Sequence, residues 1–361
     1  MSRPIRVLVV DDSALVRRAL TDRLAEFRDI EVVGTAIDPY AARDKILQLE
    51  PDVLTLDIEM PRMDGLTFLR LLMQHRPMPV IIMSSLTPAG SDKALEALSA
   101  GAVEVLQKPR GSQSACEDGR RLAEVIRAAA VARVRQRSPE PQAQKPAAER
   151  PRMVPGTGRT YHPSQVILMG ASTGGTEALK AVLTGLNADL PGICVVQHIP
   201  AQFSLAFANR LNSICALEVR QAQQGDVVRP GLVLIAPGGY HMLLRPTGRG
   251  YEVQLSEGPV VHFQRPAVDV LFNSAVKAGA GPRSLALVLT GMGADGAAGM
   301  LALRQAGADT VAQDEQSSVV FGMPKEAIKL GAARSVLPLS RMATRIEAYG
   351  TQCSLGRMAQ A

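Results

Sequence analysis

The chain has no tryptophan, and aromatic residues make up only 3% of its 361 positions. Proteins that grip single-stranded nucleic acid stack bases on aromatic rings, so such a platform is poorly supplied here. The net charge of +6 does not reverse that reading. Many of the arginines fall between Arg120 and Arg159, in what reads as a helix end and a solvated basic linker. No helix-turn-helix segment follows that linker, so a DNA-binding output is not expected. Cysteine is scarce too. Cys116, Cys194, Cys215 and Cys353 are scattered without paired metal spacing, which excludes a structural zinc site and suits reduced thiols. No apolar run approaches the roughly 20 residues of a membrane span. The opening Met1-Ser2-Arg3-Pro4-Ile5 lacks a long apolar signal region. A cytoplasmic protein without membrane insertion is expected.

What is present is a hydrophobic content of 46% and enough chain for two or three domains. From Ile5 to about Lys108, short apolar runs alternate with helical patterns five times. The strands read as Ile5 to Val10, Glu31 to Ala36, Asp52 to Asp57, Pro79 to Ser85 and Ala102 to Leu106. Unbroken apolar strands alternating with helices form a doubly wound parallel sheet. The polar residues fall at the carboxyl ends of those strands, where such sheets bind ligands. Asp11, Asp12 and Asp57 converge there in this reading. Three carboxylates in one crevice repel one another and call for a divalent cation, and hard oxygen ligands suit Mg²⁺. Lys108 and Ser84 could then serve a phosphoryl group on a carboxylate.

Asp11-Asp12, Asp57-x-x-Met60-Pro61-x-Met63-Asp64-Gly65, Ser84 and Lys108-Pro109 together resemble the receiver domains of two-component response regulators. The resemblance implies a five-stranded flavodoxin-like domain phosphorylated on Asp57. It implies Mg²⁺ held by Asp11, Asp12, Asp57 and the backbone carbonyl of Glu59, with Ser84 and Lys108 reading the phosphoryl group. One departure is Val105, three positions before the lysine, where many receivers carry an aromatic switch residue.

A tether follows, its composition shifted to proline, glutamine, arginine and glycine, which is linker chemistry. The expected domains are residues 1–130, a linker 131–163, and a second α/β domain 164–350 with a mostly parallel sheet. That domain opens on Val166 to Met169, then Gly170-Ala171-Ser172-Thr173-Gly174-Gly175 and a helix. A strand, a glycine turn and a helix can expose a nucleophile or cradle an anion. His198 ends the apolar run from Ile193, and Asp295 lies just past the run from Ser284 to Leu289. A hydroxyl, an imidazole and a carboxylate on one rim are the parts of a nucleophilic triad. The amides of Thr173 and Met292 are candidates for an oxyanion hole. Rivals remain at this stage: His241 as base, Asp269 as acid, and Asp295 as a simple cap of the helix that follows it. A dinucleotide cradle is disfavoured because the G-x-G-x-x-G spacing and a ribose-binding acid are missing. An α/β-hydrolase is disfavoured because no histidine follows Asp295.

The second half also carries Gln197-His198-Ile199-Pro200, Ala236-Pro237-Gly238-Gly239-x-His241, Arg265-Pro266-x-Val268-Asp269 and Thr290-Gly291-Met292-Gly293-x-Asp295-Gly296. With the glycine turn these resemble the CheB protein-glutamate methylesterase family. The resemblance implies a Ser172–His198–Asp295 triad with no cofactor in the esterase site. It implies methylated chemoreceptors as substrates, a chemotaxis histidine kinase as phosphodonor, and deamidation of receptor glutamines as a possible second activity. A further expectation is that the unphosphorylated receiver covers the esterase rim. The competing expectation is a phosphorylation-controlled binding protein without catalysis.

Overall fold

The structure, a computed structural model, describes residues 3–84, 88–108, 115–134 and 161–358. Most of the expected linker, 135–160, lies outside the described residues. The chain divides into two compact units, Met1–Ala143 and Gln144–Ala361.

The first unit alternates β1 (Ile5–Val10), α1 (Ala14–Leu24), β2 (Ile30–Ala36), α2 (Pro39–Leu49), β3 (Val53–Asp57), α3 (Gly65–His75), β4 (Val80–Ser84), α4 (Pro88–Ser99), β5 (Glu104–Gln107) and α5 (Ala115–Ala130). Its sheet is parallel throughout, in the order β2-β1-β3-β4-β5. β3 and β4 are buried at every residue, which explains their unbroken apolar sequence. Ser13, Asp38 and Asp64 start α1, α2 and α3, each accepting a backbone amide at the helix N-terminus. α4 begins six residues before the expected Ala94, because Gly90, Ser91, Asp92 and Lys93 dilute the apolar period there.

The second unit begins with β6 (Val166–Ala171), α6 (Gly175–Leu183), β7 (Gly192–Gln197), α7 (Ala201–Ile214), β8 (Glu218–Gln221), β9 (Val227–Val228) and β10 (Leu232–Ile235). The hairpin β11 (His241–Thr247) and β12 (Gly250–Ser256) follows, then α8 (Val268–Lys277), β13 (Ser284–Val288) and α9 (Ala297–Gln305). β14 (Asp309–Gln313), α10 (Met323–Lys329), β15 (Ser335–Leu337) and α11 (Leu339–Met358) close it. The large sheet is parallel in the order β15-β14-β13-β6-β7-β10-β8, and β11, β12 and β9 form a small antiparallel sheet. Sequence reading ends the strands at Gln313, whereas β15 adds an edge beyond it. The chain works outward from β6 to one side through β7 and β10, then returns to the other side with β13. The switch point of the sheet therefore lies around β6, where open α/β sheets form their ligand crevice.

One core cluster packs α8 and α9 against this sheet and the hairpin, with Phe272, Leu271, Met300 and Leu303 fully buried. Phe272→Ala is expected to lower unfolding stability by about 3–5 kcal/mol, read from denaturant melts of the full chain.

Candidate active site

Ser172, His198 and Asp295 follow the carboxyl ends of β6, β7 and β13, adjacent strands at the switch point. All three are buried, at 5%, 3% and 1% exposure. The His198 ring bonds Asp295 through Nε2, 2.7 Å from Oδ2. That engagement leaves Nδ1 as the nitrogen for a substrate-side proton. Asp295 does not cap the helix that follows it. Its Oδ2 accepts the Val268 amide at 2.7 Å and its Oδ1 the Asp269 amide at 2.9 Å, both at the N-terminus of α8. The cap of α9 is Gly296, with no side-chain bond. Burial pushes the Asp295 carboxyl up, but the His198 bond and charge and the two amides outweigh it and hold the group below its ordinary range. A carboxylate at a helix N-terminus gains from the helix dipole as well.

The turn carrying Ser172 is fastened to the turn carrying Met292. The Ser172 amide donates to Thr290 O at 3.0 Å, and Thr290 Oγ1 donates to Thr173 O at 2.9 Å. Gly291 must lack a side chain here, since a Cβ would stand 2.7 Å from Ser172 Cβ and 2.4 Å from Met323 Sδ. Gly174, with φ of 76°, turns the chain into α6 in a conformation that favours glycine. The amides of Thr173 and Met292 make no backbone hydrogen bond among the described residues. Gln197 was not singled out for a role by sequence reasoning. Its Nε2 donates to Ser172 O at 2.9 Å and to His198 O at 3.2 Å, so one amide group holds both turns. Only its place beside His198 in the quoted motif hinted at this.

The rivals have other partners. His241 accepts the Ala267 amide at Nδ1 and bonds Pro259 O through Nε2, so both ring nitrogens are spent on loop backbone. Asp269 pairs with His262 at 2.9 Å and accepts the Gly299 amide at 2.6 Å. Cys194 and Cys215 are free and buried, and burial pushes their thiols up to about 12 and about 11, away from thiolate chemistry. Cys116 and Cys353 have side chains outside the described residues.

In the first unit, Asp11, Asp12 and Asp57 offer oxygens that lie within 4.8 Å of one another. Asp11 and Asp57 are almost fully buried, while Asp12 faces out. Lys108 Nζ stands 2.7 Å from Asp57 Oδ2 and 3.0 Å from Asp11 Oδ2. The Glu59 amide donates to Asp57 Oδ1 at 3.1 Å, and Arg17 pins the carbonyls of Asp11 and Asp12. Ser84 ends β4 and donates to Gly90 O at 3.2 Å. Burial raises the Asp57 carboxyl above its ordinary range, with Asp11 adding repulsion and Lys108 only partly offsetting both. Two buried carboxylates, a third exposed one and a single lysine leave surplus negative charge. The donor set is all oxygen, and it fits a hard divalent cation.

A receiver-type acidic crevice in one unit and a hydroxyl, imidazole and carboxylate at the switch point of the other define the class: a response regulator whose output is an esterase on a parallel α/β sheet. Two family models match, the response regulator receiver domain over residues 7–117 and the CheB methylesterase over residues 167–346. A protein-glutamate methylesterase/protein-glutamine glutaminase of Syntrophus aciditrophicus is 54% identical over 342 residues, spanning 95% of this chain and 98% of its own. One of Anaeromyxobacter dehalogenans is 53% identical over 95% of this chain and 94% of its own, and one of Rhodospirillum rubrum is 50% identical over 98% and 100%. The chain belongs to the CheB family of protein-glutamate methylesterases, and its class of reaction is carboxylic ester hydrolysis.

Gln197→Met keeps the bulk of the side chain and removes both donations to the two turns. It is expected to lower kcat of ester hydrolysis roughly tenfold with little change in KM, as misplaced catalytic groups do. Steady-state kinetics check it, and an unchanged kcat would deny Gln197 its positioning role.

Proposed function

We propose that the second unit hydrolyses glutamate methyl esters on chemoreceptors through Ser172, His198 and Asp295, and that phosphorylation of Asp57 controls it. The observation that carries the reading is the buried His198–Asp295 bond at 2.7 Å beside the Ser172 turn. In this reading His198 Nδ1 takes the proton of Ser172 Oγ as the oxygen attacks the ester carbonyl. Asp295 accepts from Nε2–H, fixing the tautomer and stabilising the imidazolium. The amides of Thr173 and Met292 receive the oxyanion. His198 returns the proton to the leaving methoxide, methanol departs, and water then cleaves the acyl-serine by the same relay. With a glutamine side chain the leaving group is ammonia, which gives the glutaminase activity named for the relatives. The buried His198–Asp295 bond beside the Ser172 turn weighs against a binding regulator without catalysis.

Asp57 is the proposed phosphoryl acceptor, and Asp11, Asp12, Asp57 and the Glu59 carbonyl are proposed to hold Mg²⁺. A bound Mg²⁺ would supply charge neutralisation for the phosphoryl oxygens. Lys108 would meet a phosphoryl oxygen directly, and Ser84 would exchange its bond to Gly90 for one to the same group. Val105 is buried and aliphatic, so any response to phosphorylation must run without an aromatic rotamer there. The proposed partners are methylated chemoreceptors and a chemotaxis histidine kinase, in the cytoplasm. Among the described residues no helix is long and apolar enough to cross a membrane. We further propose that residues 1–130 restrain residues 164–350 across the linker 131–163 until Asp57 is phosphorylated.

Three outcomes are expected. Ser172→Ala should cut methanol release from methylated receptors by about four orders of magnitude or more. In the same assay a small phosphodonor should raise release by the wild type and leave Asp57→Asn unmoved. Release by Ser172→Ala at the wild-type rate would sink the triad. The third outcome concerns pH. A raised Asp57 pKa means protons compete with the cation at higher pH than at an ordinary aspartate. Mg²⁺ affinity, measured by calorimetry on the full chain, should therefore begin to weaken at a higher pH than at an ordinary aspartate as pH is lowered. An affinity that is lost no earlier than at an ordinary aspartate would count against Asp57 as a ligand.

A further inference from the structure

Between β12 and α8 the chain makes a two-residue hairpin that the triad does not use. Val261 and Gln264 exchange both backbone hydrogen bonds, at 3.1 and 2.9 Å. The two tip residues, His262 and Phe263, have φ of 51° and 57°. Such turns take asparagine, aspartate or glycine, and a bulky aromatic side chain in the left-handed region is strained. Strain of this kind persists where the surroundings hold it, and it clusters at ligand contacts. The surroundings here are well defined. His262 Nε2 bonds Asp269 Oδ2 at 2.9 Å, and the Asp269 amide in turn bonds the triad carboxylate at 2.9 Å. On the other side Arg265 donates to the carbonyls of Glu257 and Gly258, and the Gly239 amide donates to Arg265 O. His241 bonds Pro259 O within the same loop. One tip residue thus anchors the hairpin toward the triad, while the other stands 70% exposed, with Val260 nearby in sequence at 56%. An exposed aromatic ring on a fixed loop is pre-organised for contact, and ordering it on binding costs little.

We propose that Phe263 is a specificity-determining contact for the protein substrate. It packs against an apolar side chain of the receptor segment that carries the glutamyl ester, and the His262–Asp269 bond sets its place. The inference rests on the methylesterase reading above. A small ester has no flanking segment, so it does not use this contact.

Phe263→Gly tests the idea, because glycine removes the ring and relaxes the left-handed residue, so the thermal midpoint does not fall. KM for a methylated chemoreceptor in membranes is expected to rise about tenfold, the loss of one aromatic anchor. Hydrolysis of p-nitrophenyl acetate is expected to stay within about twofold of wild type. Phe263→Leu, apolar but smaller, is expected to recover most of the receptor KM. A receptor KM for Phe263→Gly that matches wild type overturns the proposal alone. Equal losses on both substrates also overturn it, assigning the loop a structural role. A wild-type chain that hydrolyses p-nitrophenyl acetate but releases no methanol from the receptor overturns the methylesterase reading itself.

Discussion

A carboxylate at the carboxyl end of a buried strand stays ionised only if something replaces the water it has lost. Both units place carboxylates there, and each answers the constraint differently. In the first unit a single lysine, Lys108, reaches both Asp57 and Asp11. One positive charge against two buried carboxylates, with Asp12 beside them, is not enough, and Asp57 is pushed upward. In the second unit Asp295 has an imidazole and two helix amides, and it is held down. Removing one partner from such a buried arrangement costs about 3–5 kcal/mol, so both sets are strongly determined by the fold around them. The undercompensated set invites a cation and a phosphoryl group. The compensated set leaves an ionised carboxylate bonded to an imidazole ring.

The amides that hold Asp295 also explain how the fold organises its rim. Val268 and Asp269 open α8, which packs on the sheet and on the hairpin β11–β12. By capping α8 rather than α9, Asp295 binds the end of β13 to a helix that arrives from a different part of the chain. His198 arrives from β7 on the far side of β6, and Gln197, its neighbour, reaches back to the Ser172 carbonyl. The site is therefore fixed from three strands and one helix by bonds that run across the switch point. Positioning of this kind is worth more to catalysis than any one contact, because small displacements of a relay cost large factors in rate.

How much of this was legible in the sequence follows from range. The parallel sheets were legible because strands buried on both faces read as unbroken apolar runs, β6 and β7 most clearly. The positions of Asp11, Asp57, Ser172 and His198 at strand ends were legible because each stands where an apolar run stops. The partners of those residues were not. Asp295 was placed on the rim by its position just past an apolar run, but it finds its amides at Val268 and Asp269, far upstream, where no local pattern points to them. Gln197 looked like the polar end of a strand until its two carbonyl partners were in view. β8 and β15 were missed because edge strands are short and mixed in polarity, with Val336 exposed in β15. His262 and Phe263 gave no turn signal at all, since neither residue type is expected at positive φ.

The two sites are built on the same kind of sheet end and differ in polarity. At the end of β3 the Glu59 amide is already given to Asp57, so what is left over in the crevice is negative charge. At the end of β6 the Thr173 amide has no backbone partner among the described residues, and neither has that of Met292, so what is left over there is donors. For those donors to stabilise an oxyanion, no nearby carboxylate may claim them first. Asp295 is buried on the same rim. Its oxygens are instead taken up by His198, Val268 and Asp269. The helix N-terminus of α8 thus does two things at once: it favours the ionised form of Asp295 behind His198, and it occupies both of that carboxylate's oxygens.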